Sequence, residues 1–218
     1  SMIIESIEGG YDNNFTYLVG CEKSHIGAVI DAAVGAEQIL KRAGELGLKL
    51  QYLVITHSHH DHYASAEPLM RKLDNMTLVM YGDAVTDIGE ADRLEVRDND
   101  TFHIGSIEAK VLHTPGHYPD SICLVADGAV FTGDTLFIGR TGRTISPNSD
   151  ARELYRSVAH KILQLPKETR IYPGHNYGDK PSATLGEQLE SNKFLQASSA
   201  EQFVEIMDEY ERSRTLET

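Results

Sequence analysis

Six consecutive residues, His57-Ser58-His59-His60-Asp61-His62, limit what this chain can fold into more than any other feature. They follow directly on the apolar run QYLVIT, residues 51–56, which reads as a buried strand. The cluster therefore sits on a loop at a strand's C-terminal end, the usual place for a site in a layered α/β protein. Four imidazoles this close repel one another as they protonate, and a metal that keeps them neutral removes the conflict, whereas a merely solvated loop does not. Imidazole and carboxylate donors suit Zn²⁺, Fe²⁺ or Mn²⁺. The absence of cysteine from the cluster argues against a structural zinc knot and for a catalytic site.

The surrounding pattern alternates strand and helix. FTYLVG and HIGAVID read as strands, GAEQILKRAGELG as an amphipathic helix with Ile39, Leu40, Ala43 and Leu46 on one face, and ASAEPLMRKL as a second helix. TLVM, SIEAKVLHT, SICLVA and AVFTG follow as strands. Asp150 and Glu153 resemble an N-cap and capping-box pair opening a helix through ARELYRSVAHKILQL. TRIYPGH is one more strand, and two helices close the chain: ATLGEQLES, then AEQFVEIMDEY, with Phe203, Ile206, Met207 and Tyr210 as a packing stripe. Three strands run into LHTPGH, FTGDT and YPGH, each setting a His or Asp beside a glycine that lets backbone approach closely.

Taken in order, HxHxDH, HTPGH, FTGDT and PGH resemble the metallo-β-lactamase superfamily over nearly the whole chain. The resemblance implies one domain over residues 1–218, an α/β fold of four layers in an αββα sandwich, with metals at one edge. It implies two divalent metal ions, Zn by preference, with Fe or Mn also suited. His57, His59 and His113 would hold the first and Asp61, His62 and His175 the second. Asp134 would bridge them, and Asp61 and Asp134 would be the catalytic carboxylates; His60 fills a variable slot. A bridging carboxylate makes physical sense, because cations about 3.5 Å apart repel unless an anion lies between them.

Within the superfamily, the cysteine-free ligand set and the stretch LYRSVAHKILQLPKETRIYPGHNYG resemble the branch of glyoxalase II and the persulfide dioxygenases. Ile145 after GRTGRT and Tyr118-Pro119 after HTPGH depart from that branch in loops expected to border the substrate. The expected activity is hydrolysis of a thioester of a small thiol, such as an acyl-glutathione, by metal-bound hydroxide; a thiolate leaves without a strong general acid. The alternative is a persulfide dioxygenase with a single Fe on His57, His113 and Asp134, a two-histidine, one-carboxylate set. A non-catalytic metal-binding module is a third reading, which the open, glycine-flanked loops disfavour.

Arg140, Arg143 and Tyr177 are candidates for substrate binding: the guanidinium groups could clamp a carboxylate or lie solvated in their loop, and the phenol could meet a thiol conjugate or pack in the core. Asp31 could back a ligand imidazole or cap the next turn. His117 is read as a structural or hydrogen-bonding residue, and His25, His103 and His160 as ordinary ones. The net charge of −13 argues against nucleic acid as a partner. No apolar run suits a membrane span, so no membrane partner is expected; the resemblance implies a small thiol-conjugate substrate as the partner. Residues 1–14 lack the features of a secretory signal, Ser1-Met2 resembles a tag-removal scar, and Cys21 and Cys123 read as buried free thiols. A cytoplasmic protein is therefore expected.

Overall fold

A computed structural model describes residues 1–89 and 91–217. Period-two alternation organises it: in β2 (Asn14–Cys21) Phe15, Tyr17 and Val19 enter one apolar cluster, while Leu18 between them enters another. β2 lies second in a sheet ordered β1 (Met2–Gly9), β2, β3 (Ile26–Ile30), β4 (Lys49–Val54), β5 (Thr77–Tyr81) and β6 (Arg93–Val96). The second sheet runs from β7 (Thr101–Ile104) through β8 (Ile107–His113), β9 (Ile122–Ala126), β10 (Ala129–Gly133) and β11 (Arg170–Pro173) to β12 (Ala183–Thr184). β3 to β6 pair in parallel, as do β10 and β11; the remaining pairs are antiparallel.

Between the sheets lies a core that includes Phe15, Tyr17, Ile30, Val79, Val111, Ile122, Leu124 and Phe131. The outer face of the first sheet is covered by α1 (Ala36–Glu45) and α2 (Ala66–Lys72), through Ile39, Ala43 and Leu69 against Leu18, Val29 and Leu53. The outer face of the second is covered by α3 (Ala151–His160), α4 (Leu185–Ser191) and α5 (Ala200–Glu217), with Leu154, Val158, Phe203 and Met207 against Leu112, Val130 and Ile171. The result is the expected αββα sandwich.

Several elements differ from the sequence reading. β1 escapes it because residues on both of its faces are half-buried, so no clean alternation marks it; only its register against β2, Met2 to Cys21 through Gly9 to Asn14, reveals it. β6 and β7, four residues each, are defined by their partners in the same way. The expected helix through Leu165 ends at His160, where Lys161 leaves helical geometry (φ −122, ψ −64) and a short 3₁₀ turn follows. Asp150 does cap α3, accepting from the Glu153 amide at 3.0 Å. The last helix continues past Tyr210 to Glu217, which carries Glu211 and Arg214. Cys21 and Cys123 are buried free thiols. Among the described residues, no helix is long and apolar enough to cross a membrane.

Candidate metal centre

The loops after β4, β8, β10 and β11 converge at one edge of the sandwich, where the sheets are tied by backbone bonds: Ile122 N donates to Thr56 O (2.8 Å) and Phe15 N to Gly174 O (2.9 Å). Glycine is needed there. Gly133 has φ +51, and a Cβ at Gly174 would lie 2.7 Å from Asp134 Oδ1 and 2.9 Å from His62 Cε1. Gly116, at φ +144, has Leu154 where a side chain would go. Each of these glycines is followed immediately by a residue of the site: Asp134, His175 and His117.

Two donor groups result, His57, His59, His117 and Asp134 in one, and Asp61, His62 and His175 in the other. Asp134, 8% exposed, stands between them. Its Oδ2 faces His57 Nε2 at 3.6 Å and His117 Nε2 at 3.5 Å, while its Oδ1 faces His62 Nε2 and His175 Nε2, both at 3.2 Å. Asp61 Oδ2 lies 3.4 Å from each of those last two nitrogens. His57 Nε2 and His59 Nδ1 are 3.1 Å apart.

The far side of the imidazoles sets which nitrogen is free. His175 Nδ1 donates to Asp12 O at 2.7 Å and His117 Nδ1 to Arg143 O at 2.7 Å; a carbonyl only accepts, so each Nδ1 carries the proton and each Nε2 lone pair points into the site. His62 Nδ1 lies 2.8 Å from Asp31 Oδ2, and the same carboxylate accepts from Thr56 N and Oγ1, both at 2.8 Å. Asp31 thus backs a ligand-type imidazole, the first of its two readings. Asn14, fully buried, donates to Asp61 Oδ2 at 3.0 Å.

His62 Nε2, His117 Nε2 and Asp134 Oδ1 are buried and without a hydrogen-bond partner. Such orphans are costly unless something else fills their valence. Burial opposes ionisation of Asp134, but the charge of His62 and the close approach of the His175 and His57 imidazoles outweigh it and hold the carboxyl well below the usual range. Burial would also strip His62 of its proton, yet Asp134 and Asp31 push its pKa well above the ordinary imidazole value. His57 goes the other way, held well below it by burial and then by His62. The centre thus draws positive charge to the gap around Asp134. Converging lone pairs, a buried anion and unpartnered donor atoms fit divalent cations of the Zn, Fe or Mn kind.

The structure brings together His57, His59, Asp61, His62, Asp134 and His175 as expected, but not His113. At the end of β8, His113 has the same orientation as Val111 and faces the other sheet, where its ring stacks on Tyr81 (3.9 Å between centroids, 9° between planes) and Nε2 lies 2.9 Å from Pro119 O. The chain must leave the strand and turn at Pro115-Gly116 before it reaches the metal edge, so His117 takes the place expected for His113. The signal was available in the sequence, because Asp134 and His175 also come directly after a glycine. His60 is exposed, near Tyr11 and Tyr63.

A cleft of 660 Å³ opens over the centre, with His59, His117 and Asp134 at its floor and Phe137, Arg140, Arg143, Tyr177, Tyr210 and Arg214 among its walls. Tyr177 stacks on His175 (4.7 Å, 7°) and its hydroxyl donates to Asp12, so the phenol orients the site's backing. Tyr210, expected only to pack, also lines this cleft. Asp12, Asn14, Thr56 and Tyr118, whose ring lies 4.4 Å from that of His59, belong to the site but carry no local sequence signal.

A family model described as the metallo-beta-lactamase superfamily matches residues 9–175, and the chain belongs to that superfamily of metal-dependent enzymes. It is 35% identical over 199 residues to the human mitochondrial persulfide dioxygenase ETHE1, covering 88% of this chain and 75% of that protein. It is 34% identical over 179 residues to a protein of Schizosaccharomyces pombe named probable hydroxyacylglutathione hydrolase glo2, covering 77% of this chain and 66% of that one. The crystal structure of ETHE1 from Myxococcus xanthus superposes with a TM-score of 0.83 at 32% identity, covering 94% of this chain and 90% of that one.

Proposed function

We propose that the protein hydrolyses thioesters of a small thiol, using two divalent ions, Zn²⁺ by preference. The observation that carries this reading is the division of Asp134: one oxygen faces each donor group, at 3.5–3.6 Å and 3.2 Å, the disposition of a carboxylate shared by two cations. His57, His59 and His117 would hold one ion, Asp61, His62 and His175 the other, and Asp134 both. Ions held there supply a Lewis acid for the carbonyl and acidify a water, so that no protein base is required at neutral pH.

The chain's own residues do the rest. Asp31, Asp12 O and Arg143 O fix the tautomers of His62, His175 and His117, so the donor atoms are in place before anything binds. Phe137, Tyr177 and Tyr118 wall the edge and thin out water around the reacting carbonyl. Overall, water adds to the acyl carbon, the C–S bond breaks, and the products are a carboxylic acid and a thiol. With a thiol pKa of about 8.5, the leaving sulfur needs no strong acid beside it, and no side chain in the cleft is required to play one.

Similarity to persulfide dioxygenases supports a second reading: a single Fe on His57, His117 and Asp134, oxidising a thiol persulfide with O₂. Metal analysis of protein purified without added metal, paired with thioester turnover and oxygen consumption, tests both. About two Zn per chain with thioester turnover is expected; about one Fe with persulfide-dependent oxygen uptake would replace the first reading by the second.

A further inference from the structure

The arginines of the cleft are not equivalent. Arg143 is already neutralised: its Nε and Nη2 donate to the two carboxylate oxygens of Glu211 at 2.8 and 2.7 Å, a bidentate pair between the loop after β10 and α5. Arg140 has no such partner. Its guanidinium lies among the rings of Tyr177 (4.6 Å), Phe137 (4.9 Å) and Tyr210 (5.2 Å), and its hydrogen bond is to Thr141 O at 3.3 Å. No carboxylate among the described residues lies within ion-pair distance of it. Arg214, one turn beyond Tyr210 on α5, donates to the Tyr210 hydroxyl at 3.1 Å and lines the same cleft.

This is an unusual place for an unpaired cation. The chain carries a net charge of −13, yet here positive charges crowd together: burial pulls the Arg140 pKa below its ordinary value, and Arg214 and Arg143 add to the pull. The carboxylates on the cleft wall are engaged elsewhere, Asp12 with Tyr177 and Asp134 in the metal centre. Asp179 lies on an adjoining hollow that Arg140 and Tyr177 also border, without pairing. A half-buried guanidinium with most of its five donors unused is stabilised by a ligand anion that accepts from it.

We propose that Arg140, with Arg214 beside it across Tyr210, is the anion-selecting subsite of the cleft, and that Glu211 withdraws Arg143 from that role. The ligand it selects carries a carboxylate or phosphate on the part remote from the reacting sulfur. This rests on the thiol-conjugate reading for the identity of the ligand, but the subsite binds an anion whether or not turnover occurs. The C-terminal helix thereby sets specificity from outside the metal centre, supplying Tyr210 and Arg214 and occupying Arg143.

Calorimetric titration of the metal-loaded protein tests it. Glutathione against its diethyl ester, and pantetheine 4′-phosphate against pantetheine, share the thiol and differ in the anion, so the pairs separate a carboxylate from a phosphate source. At least one anionic member is expected to bind about tenfold more tightly than its neutral partner. Arg140→Met should erase that preference and leave the neutral ligand unchanged. Arg143→Met should keep it within about twofold, and Glu211→Gln should strengthen it, since a second guanidinium is released. Equal binding of both members of both pairs by the parent protein, no binding of any of the four, or loss of the preference in Arg143→Met but not in Arg140→Met would overturn the proposal. Turnover of the uncharged thioester S-acetyl-N-acetylcysteamine reads the hydrolase separately. If it persists while the anion preference is missing, the hydrolase stands and the subsite falls; the reverse pattern keeps the subsite and removes the hydrolase.

Discussion

The two donor groups share Asp134 but are held in different ways. In the second, His62 rests on the buried carboxylate of Asp31, His175 on a carbonyl of the β1–β2 turn, and Asp61 on fully buried Asn14. In the first, His117 is held by a carbonyl of the loop after β10, His57 has Thr56 Oγ1 at 3.4 Å, and His59 is half-buried at the cleft floor against the ring of Tyr118. One group is therefore backed mainly by the buried side chains of Asp31 and Asn14, and the other mainly by loops that also border the cleft. Rigid backing favours a fixed ion, and loop backing leaves room for a position where substrate enters.

The severest way to break this comparison is to remove what the groups share. Asp134→Asn keeps the shape but loses the anion between two cations, and turnover is expected to fall by about a thousandfold or more, with metal supplied in excess. The melting temperature, read on the same protein, should move little by comparison, because the core is spread over two sheets. Undiminished turnover would rule out either metal mechanism.

Next, His117→Ala should lower turnover by about a hundredfold or more and remove metal from the first group, whereas His113→Ala should keep its full metal content. Elemental analysis beside kinetics distinguishes the two; metal loss in His113→Ala alone would show the stacked histidine to be the ligand after all.

A milder effect sharpens the contrast in backing. Asp31→Ala leaves all donor atoms in place but frees the His62 ring, and metal affinity, measured by chelator competition, should weaken by about 10–100-fold. The second equivalent should leave first. Asp31 also holds the Thr56 amide and hydroxyl, so a smaller loss from the first group is expected too. Smallest of all, His60→Ala should change turnover by less than about twofold, since its exposed ring belongs to neither donor group and neighbours Tyr11 and Tyr63 instead.

Much of this centre was legible in the linear chain. The HxHxDH run after a buried strand, and the later glycine-flanked Asp and His, point to a metal and to strand-end loops, because donor chemistry and the apolar period of strands are local properties. The αββα arrangement was implied by the family resemblance, while the alternation by itself marked only the strands and helices. Elements without a strong local period, such as β1, β6 and β7, were not legible: their residues become strands only when a neighbour accepts their hydrogen bonds.

What tertiary structure alone decided was the choice between chemically identical residues. His113 and His117 lie four apart in HTPGH, and the pleat of β8 sends the first toward Tyr81 while the turn at Gly116 sends the second to Asp134. Arg140 and Arg143 are equally good cations in the sequence. A helix beginning more than fifty residues later brings Glu211 to one and Tyr210 to the other, and leaves only Arg140 without a carboxylate. Residue type is written in the chain, but the direction a side chain takes and the charge it meets depend on what packs beside it, and those neighbours come from distant sequence.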